Sequence, residues 1–153
     1  MNIISGVCVF LLCIFVSKFA AEKHVKRATF YRDMYNFNKL LQSEVLFTKT
    51  SILSIVNNLS DKTDFELMLK EYFNCRIIKT NFYYLEPNER KFVENYLLSL
   101  GVGDEVTQLN SIQSIAEQIA DKQKRYDAES KKISGLSVKL GFLTGVTGLI
   151  IFL

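Results

Sequence analysis

Two charge-poor apolar runs, one at each end of a chain whose middle is polar, constrain this sequence more than any motif does. Residues 3–16 read IISGVCVFLLCIFV without a charge, and extension to Ala21 adds only Lys18. As a helix rising about 1.5 Å per residue, Ile3 to Ala21 covers roughly 28 Å, close to the hydrocarbon thickness of a bilayer. Residues 135–153, GLSVKLGFLTGVTGLIIFL, carry one charge, Lys139, near the inner boundary. A lysine there can extend its ammonium back to the headgroups. Gly141, Gly145 and Gly148 share one helix face, and Gly141-x-x-x-Gly145 has the small-residue spacing that lets helices approach closely in lipid. A cleavable signal peptide carries positive charge ahead of its apolar stretch and a small-residue cleavage site behind it. Here Met1-Asn2 has no basic side chain, and the basic residues follow the run. The expectation is therefore a retained transmembrane helix at 3–21, a helical domain at 22–134 and a second transmembrane helix at 135–153. A buried soluble hairpin is the competing reading for both runs.

Charge orients this arrangement. The segment 18–41 carries net +4, the segment 122–139 again +4, and the stretch 42–121 between them −5. Basic residues near a span stay on the cytoplasmic side, so the expectation is a cell-membrane protein with a cytosolic middle and both termini across the membrane. Lys18, Lys23, Lys26, Arg27, Lys131, Lys132 and Lys139 then form basic collars against anionic lipid headgroups, each contributing about 1 kcal/mol near the surface. Nucleic acid is a poor alternative partner, because no aromatic-interleaved binding motif accompanies the basic residues.

The middle reads as helices, so the fold class is all-α, a membrane-anchored helical bundle. Phe30, Met34, Phe37, Leu41, Val45 and Thr48 step by three and four along one stripe. Thr50-Ser51 offers an N-cap for a second helix, and Asp64 for a third carrying Phe65, Leu67, Met68, Leu69 and Tyr72 or Phe73. The stretch 75–84 is ambiguous: its aromatics suit a strand, but no second strand is evident, so a short helix or irregular turn is favoured. Glu86-Pro87 opens a further helix, since proline suits the first helical turn, and Gly101 is a plausible C-cap. Asp104 then caps a helix of about 30 residues that can run on into the second span. The first and last helices each carry one apolar stripe, and the economical arrangement packs them antiparallel as a stalk, with the shorter helices closing a distal head.

Residues suited to catalysis are scarce. His24 is the lone histidine, and Trp is absent. Cys75 has no histidine near it in sequence, and Cys8 and Cys13 sit in the first apolar run, where they read as small apolar residues. Leu100-Gly101-Val102-Gly103-Asp104 lacks the Lys-Ser/Thr that follows a phosphate-cradling glycine loop. Glu86, Glu89 and Glu94 read as helix-surface carboxylates. No catalytic, cofactor-binding or metal-binding set emerges, and the chain reads as a non-enzyme with no cofactor and no small-molecule substrate.

The segment Tyr96-Leu97-Leu98-Ser99-Leu100-Gly101-Val102-Gly103-Asp104-x-x-x-Gln108, with the earlier Leu40-x-x-x-Glu44 followed by Phe47, resembles stage III sporulation protein AB. The order of parts is similar too: short N-terminal span, basic collar, helical domain, long final helix, C-terminal span. Where that family often has a Pro-Leu pair after the first helix, this chain has Thr50-Ser51-Ile52-Leu53. The resemblance implies a non-enzymatic platform subunit of the secretion-like complex that links mother cell and forespore. It would lie in the mother-cell membrane around the forespore, dock a secretion-type ATPase and be needed for spore formation. It offers Gly101, Gly103, Asp104 and Gln108 as candidate partner-docking residues. The alternative is an unrelated two-span membrane scaffold or regulator with a cytosolic helical domain.

Overall fold

A computed structural model describes the backbone of residues 2–47, 51–100 and 105–152; the side chains of 2–6, 9, 13, 14, 20, 45–47, 105, 106, 108 and 148–152 lie outside the described set. The chain is all-α. Its helices are α1 (Asn2–Phe47), α2 (Ile52–Asn57), α3 (Asp64–Cys75), α4 (Pro87–Ser99) and α5 (Glu105–Phe152). No strand occurs among the described residues. Both long helices pass without a break through the expected domain boundaries at 21/22 and 134/135.

α1 and α5 form an antiparallel pair, and a ladder of contacts fixes their register. Phe10 meets Phe142 edge to face at 6.2 Å. The Ser17 hydroxyl donates to the Ser137 carbonyl. His24 Nδ1 lies 3.0 Å from Glu129 Oε1. The Tyr31 and Tyr126 ring centroids are 4.9 Å apart, and Asn38 Nδ2 donates to the Ile112 carbonyl at 3.5 Å. The α1 members recur every seven residues, as do the buried Ile112, Ile119 and Tyr126 on α5. That is the repeat of a coiled-coil seam, in which a strict seven-residue pattern keeps two helices facing each other. Small residues let the pair close at other levels: Ala21, Ala28, Gly141 and Gly145 are all buried. A Cβ added to Gly145 would collide with the Phe10 ring, so α1 and α5 approach closely at that glycine.

α3 packs against α1, α2 against α3, and α4 against α5. Phe30 is their anchor. It packs on Phe65 at 5.3 Å, Phe82 at 5.6 Å and Tyr84 at 6.1 Å. Phe37 adds a second contact to Phe65 at 5.8 Å. With Met34, Leu41, Met68, Leu69, Val93, Tyr96 and Leu97 these form one buried core. Of the apolar residues that α3 carries, Leu67 is 48% exposed.

Local chemistry explains the helix boundaries. The Ser51 hydroxyl accepts the Ser54 N–H and starts α2, as its position before an apolar run suggests. At α3 the cap is Thr63, whose hydroxyl accepts the Glu66 N–H, and not Asp64. Asp64 is the first helical residue, and its carboxylate accepts the Tyr84 hydroxyl at 2.7 Å. Arg76 ends α3 in the left-handed region with φ 58°. The stretch 76–82 is irregular and is fastened to α4. Arg90 donates to the Phe82 and Leu85 carbonyls, and the buried Thr80 donates to Glu94 Oε1 at 2.7 Å. α4 starts at Pro87, with Glu89 reaching back to accept the Glu86 N–H at 2.8 Å.

Candidate functional site

Beyond the head, the two-helix end presents apolar side chains outward. Val7, Leu11, Leu12, Phe15, Val16 and Phe19 on α1, with Leu136, Val138, Leu140, Phe142 and Leu143 on α5, are 44–72% exposed. Among the described residues, nevertheless, no helix is long and apolar enough to cross a membrane, and several side chains of both terminal runs lie outside that set.

The basic residues gather where this apolar end meets the head. The Ser17–Ser137 and His24–Glu129 contacts bracket one level of the helix pair. Lys18 and Lys23 on α1 and Lys131 and Lys132 on α5 fall within that bracket, all exposed. Lys26 lies just above it and Lys139 just below. Lys26 is paired to Glu22 at 3.1 Å, one helical turn away. The basic residues of the two collars expected from sequence therefore gather at one level of the helix pair.

Arg27 does not belong to that group. It is 5% exposed and points into the head. Its Nη2 lies 2.8 Å from Glu86 Oε1 and 2.8 Å from Glu89 Oε2, its Nε donates to the Tyr84 carbonyl at 3.0 Å, and its guanidinium lies 5.0 Å over the Tyr126 ring. Glu89, expected on the helix surface, is 3% exposed. Burial opposes the charge on Arg27, but the Glu86 hydrogen bond and the nearby Glu89 charge outweigh it and hold its pKa above the ordinary value. Burial and then the Glu89 charge push the Tyr31 phenol up; burial and a Glu89 hydrogen bond do the same to Tyr126. One Glu89 oxygen and the Tyr31 hydroxyl are buried without a partner at full hydrogen-bond geometry. The cluster thus pins α1, α4 and α5 together and keeps two phenols neutral. It contains no nucleophile paired with a base.

The other candidates are distributed as follows. Gly101, Gly103 and Asp104 lie outside the described residues. Gln108 is in the first turns of α5, and its side chain is outside the described set. Leu100, just before them, is buried at the end of α4. His24 is half-buried beside Glu129, a cross-helix link rather than a bare surface residue. Cys75 is exposed at the end of α3. No group of His, Cys, Asp and Glu that could hold a metal ion occurs among the described residues.

Two apolar grooves flank the pair at the collar level and share Ser17. One, of about 420 Å³, is walled by Phe15, Phe19 and Val138, and Lys18 and Glu22 line it as well. The other, of about 510 Å³, lies between Leu12 and Val16 of α1 and Leu140 and Thr144 of α5. Along the head, Asp33 sits between two smaller clefts. One of its carboxylate oxygens is buried and unpartnered. Burial raises its pKa, against the opposing pull of the Thr63 hydroxyl and Arg32. The chain matches no family model, no curated protein and no solved structure.

Proposed function

We propose that the chain is a non-enzymatic membrane platform, a helical hairpin whose apolar end sits in a bilayer and whose head docks a cytosolic partner. The observation that carries this reading is the gathering of the exposed Lys18, Lys23, Lys131 and Lys132 at one level of the helix pair, next to the outward-facing apolar side chains. Basic residues at such a junction lie on the cytoplasmic side and against anionic headgroups. A helix pair with a sequestered backbone is also one of the two architectures that can enter lipid. In this reading the two spans are 3–21 and 135–153, and the head is cytosolic.

The partner follows from the resemblance to stage III sporulation protein AB: a secretion-type ATPase within the mother cell–forespore channel complex. The turn from Gly101 to Asp104 with Gln108 is the docking surface on that reading, since loops carried on rigid helices are where contacts concentrate. Two measurements test it. A cysteine placed at the exposed Asn58 is expected to react with an impermeant label only after the membrane is opened; reaction from outside intact cells overturns the orientation. Gln108→Ala is expected to weaken ATPase pull-down without moving the melting temperature. Unchanged binding in Gln108→Ala and Asp104→Ala together removes this surface.

A further inference from the structure

The groove of about 420 Å³ at the collar level has a chemistry of its own. Its walls are the rings of Phe15 and Phe19, 71% and 72% exposed, and Val138, 57% exposed. Lys18 and Glu22 line it as well. Glu22 is already neutralised by Lys26 at 3.1 Å. Lys18, in the same lining, is exposed, and the partner of Glu22 is Lys26 and not Lys18. An apolar slot of several hundred Å³ with a few convergent polar groups is the usual form of a small-ligand site. Here the cation among the lining residues is Lys18, which lies between Phe15 and Phe19 in sequence along α1.

We infer that this groove holds one anionic phospholipid, its acyl chain along Phe15, Phe19 and Val138 and its phosphate at the Lys18 ammonium. The charge pattern selects this occupant. An apolar helix from a second copy would bring the Lys18 ammonium no counter-charge, whereas a phospholipid supplies a phosphate for Lys18 together with a chain for the apolar walls. The inference rests on the membrane-platform reading and deepens it from general headgroup attraction to a defined lipid site.

The test uses the full chain reconstituted in nanodiscs containing phosphatidylglycerol and phosphatidylcholine, released into native mass spectrometry. The wild type is expected to retain one phosphatidylglycerol per chain in preference to phosphatidylcholine. Lys18→Gln is expected to weaken that retention about fivefold, the equivalent of about 1 kcal/mol for one basic group at the surface. Val138→Trp, which fills the slot from an exposed position, is expected to abolish retention of both lipids while leaving the circular dichroism melt unchanged. Equal retention by wild type and both variants overturns the proposal. So does preferential cross-linking between two copies through a cysteine at Phe15. Flotation with vesicles separates the two levels: a chain that does not float removes the membrane reading itself, and one that floats without retaining lipid removes only the groove.

Discussion

Arg27 Nη2 closes to 2.8 Å from Glu89 Oε2 with their side chains 6% and 4% exposed, an ion pair between residues 62 positions apart that ties the first helix to the fourth. Breaking one side of a buried pair strands the other charge, at a cost of about 3–5 kcal/mol. Arg27→Ala is therefore expected to lower stability by about that amount in denaturant melts, and Glu89→Ala similarly. The double variant Arg27→Met/Glu89→Leu is expected to recover most of the loss, because apolar packing can replace a buried pair. A double variant as unstable as the sum of the singles would show that the two side chains do not act together.

Asp33 predicts a pH-dependent gain. Its folded pKa is raised by burial, the reverse of the usual paired carboxylate. Below the unfolded pKa the group is protonated in both states and costs nothing. As pH rises through the folded pKa, the native state must ionise a desolvated carboxyl, and above it the penalty is fully present. Asp33→Asn is expected to raise the melting temperature at pH 7 and leave it unchanged at pH 3. A loss of stability at pH 7 would mean that the carboxylate is satisfied in solution.

The two glycines Gly135 and Gly145 should respond in opposite directions. Nothing lies within 4 Å of a Cβ built on Gly135, so Gly135→Ala gains about 1 kcal/mol of helix propensity. A Cβ on Gly145 collides with Phe10, and overpacking of this kind costs about 1–3 kcal/mol. Paired melts of the two alanine variants check this. A stabilised Gly145→Ala would mean the helices are further apart there than described.

Thr63→Ala is expected to cost about 1 kcal/mol through loss of the α3 cap, and Thr63→Ser to restore it. If Thr63→Ala is silent in denaturation, the cap has passed to Asp64.

The helical stripes were readable because they depend on local period alone. Phe30, Met34, Phe37 and Leu41 are buried as their spacing implies, Ser51 caps α2 and Pro87 opens α4. Gly145 against Phe10 also follows the small-residue spacing. Charge type alone places Arg27 and Glu89 at the surface, and only a partner 62 residues away reverses that. Thr63 and Asp64 are adjacent residues that can both cap, Asp the more strongly preferred. The choice between them is made by Tyr84, which engages the Asp64 carboxylate from 20 positions downstream. The collar residues were identifiable individually. Their convergence on one level required the register between α1 and α5, which no single helix encodes.

The seven-residue recurrence of Phe10, Ser17, His24, Tyr31 and Asn38 makes the helix pair a ruler with an adjustable scale. A heptad inserted after His24 in α1 and a matching one before Glu129 in α5 keeps the seam neighbours on both sides of the insertion, since each seam position returns to its own phase. Such a double insertion lengthens the pair by about 10 Å while leaving the Arg27 cluster and the Phe10–Gly145 contact as they are. An insertion in only one helix breaks the pairing at once. The reach of the head beyond the collar is thus set by a count of repeats, independently of what either end binds.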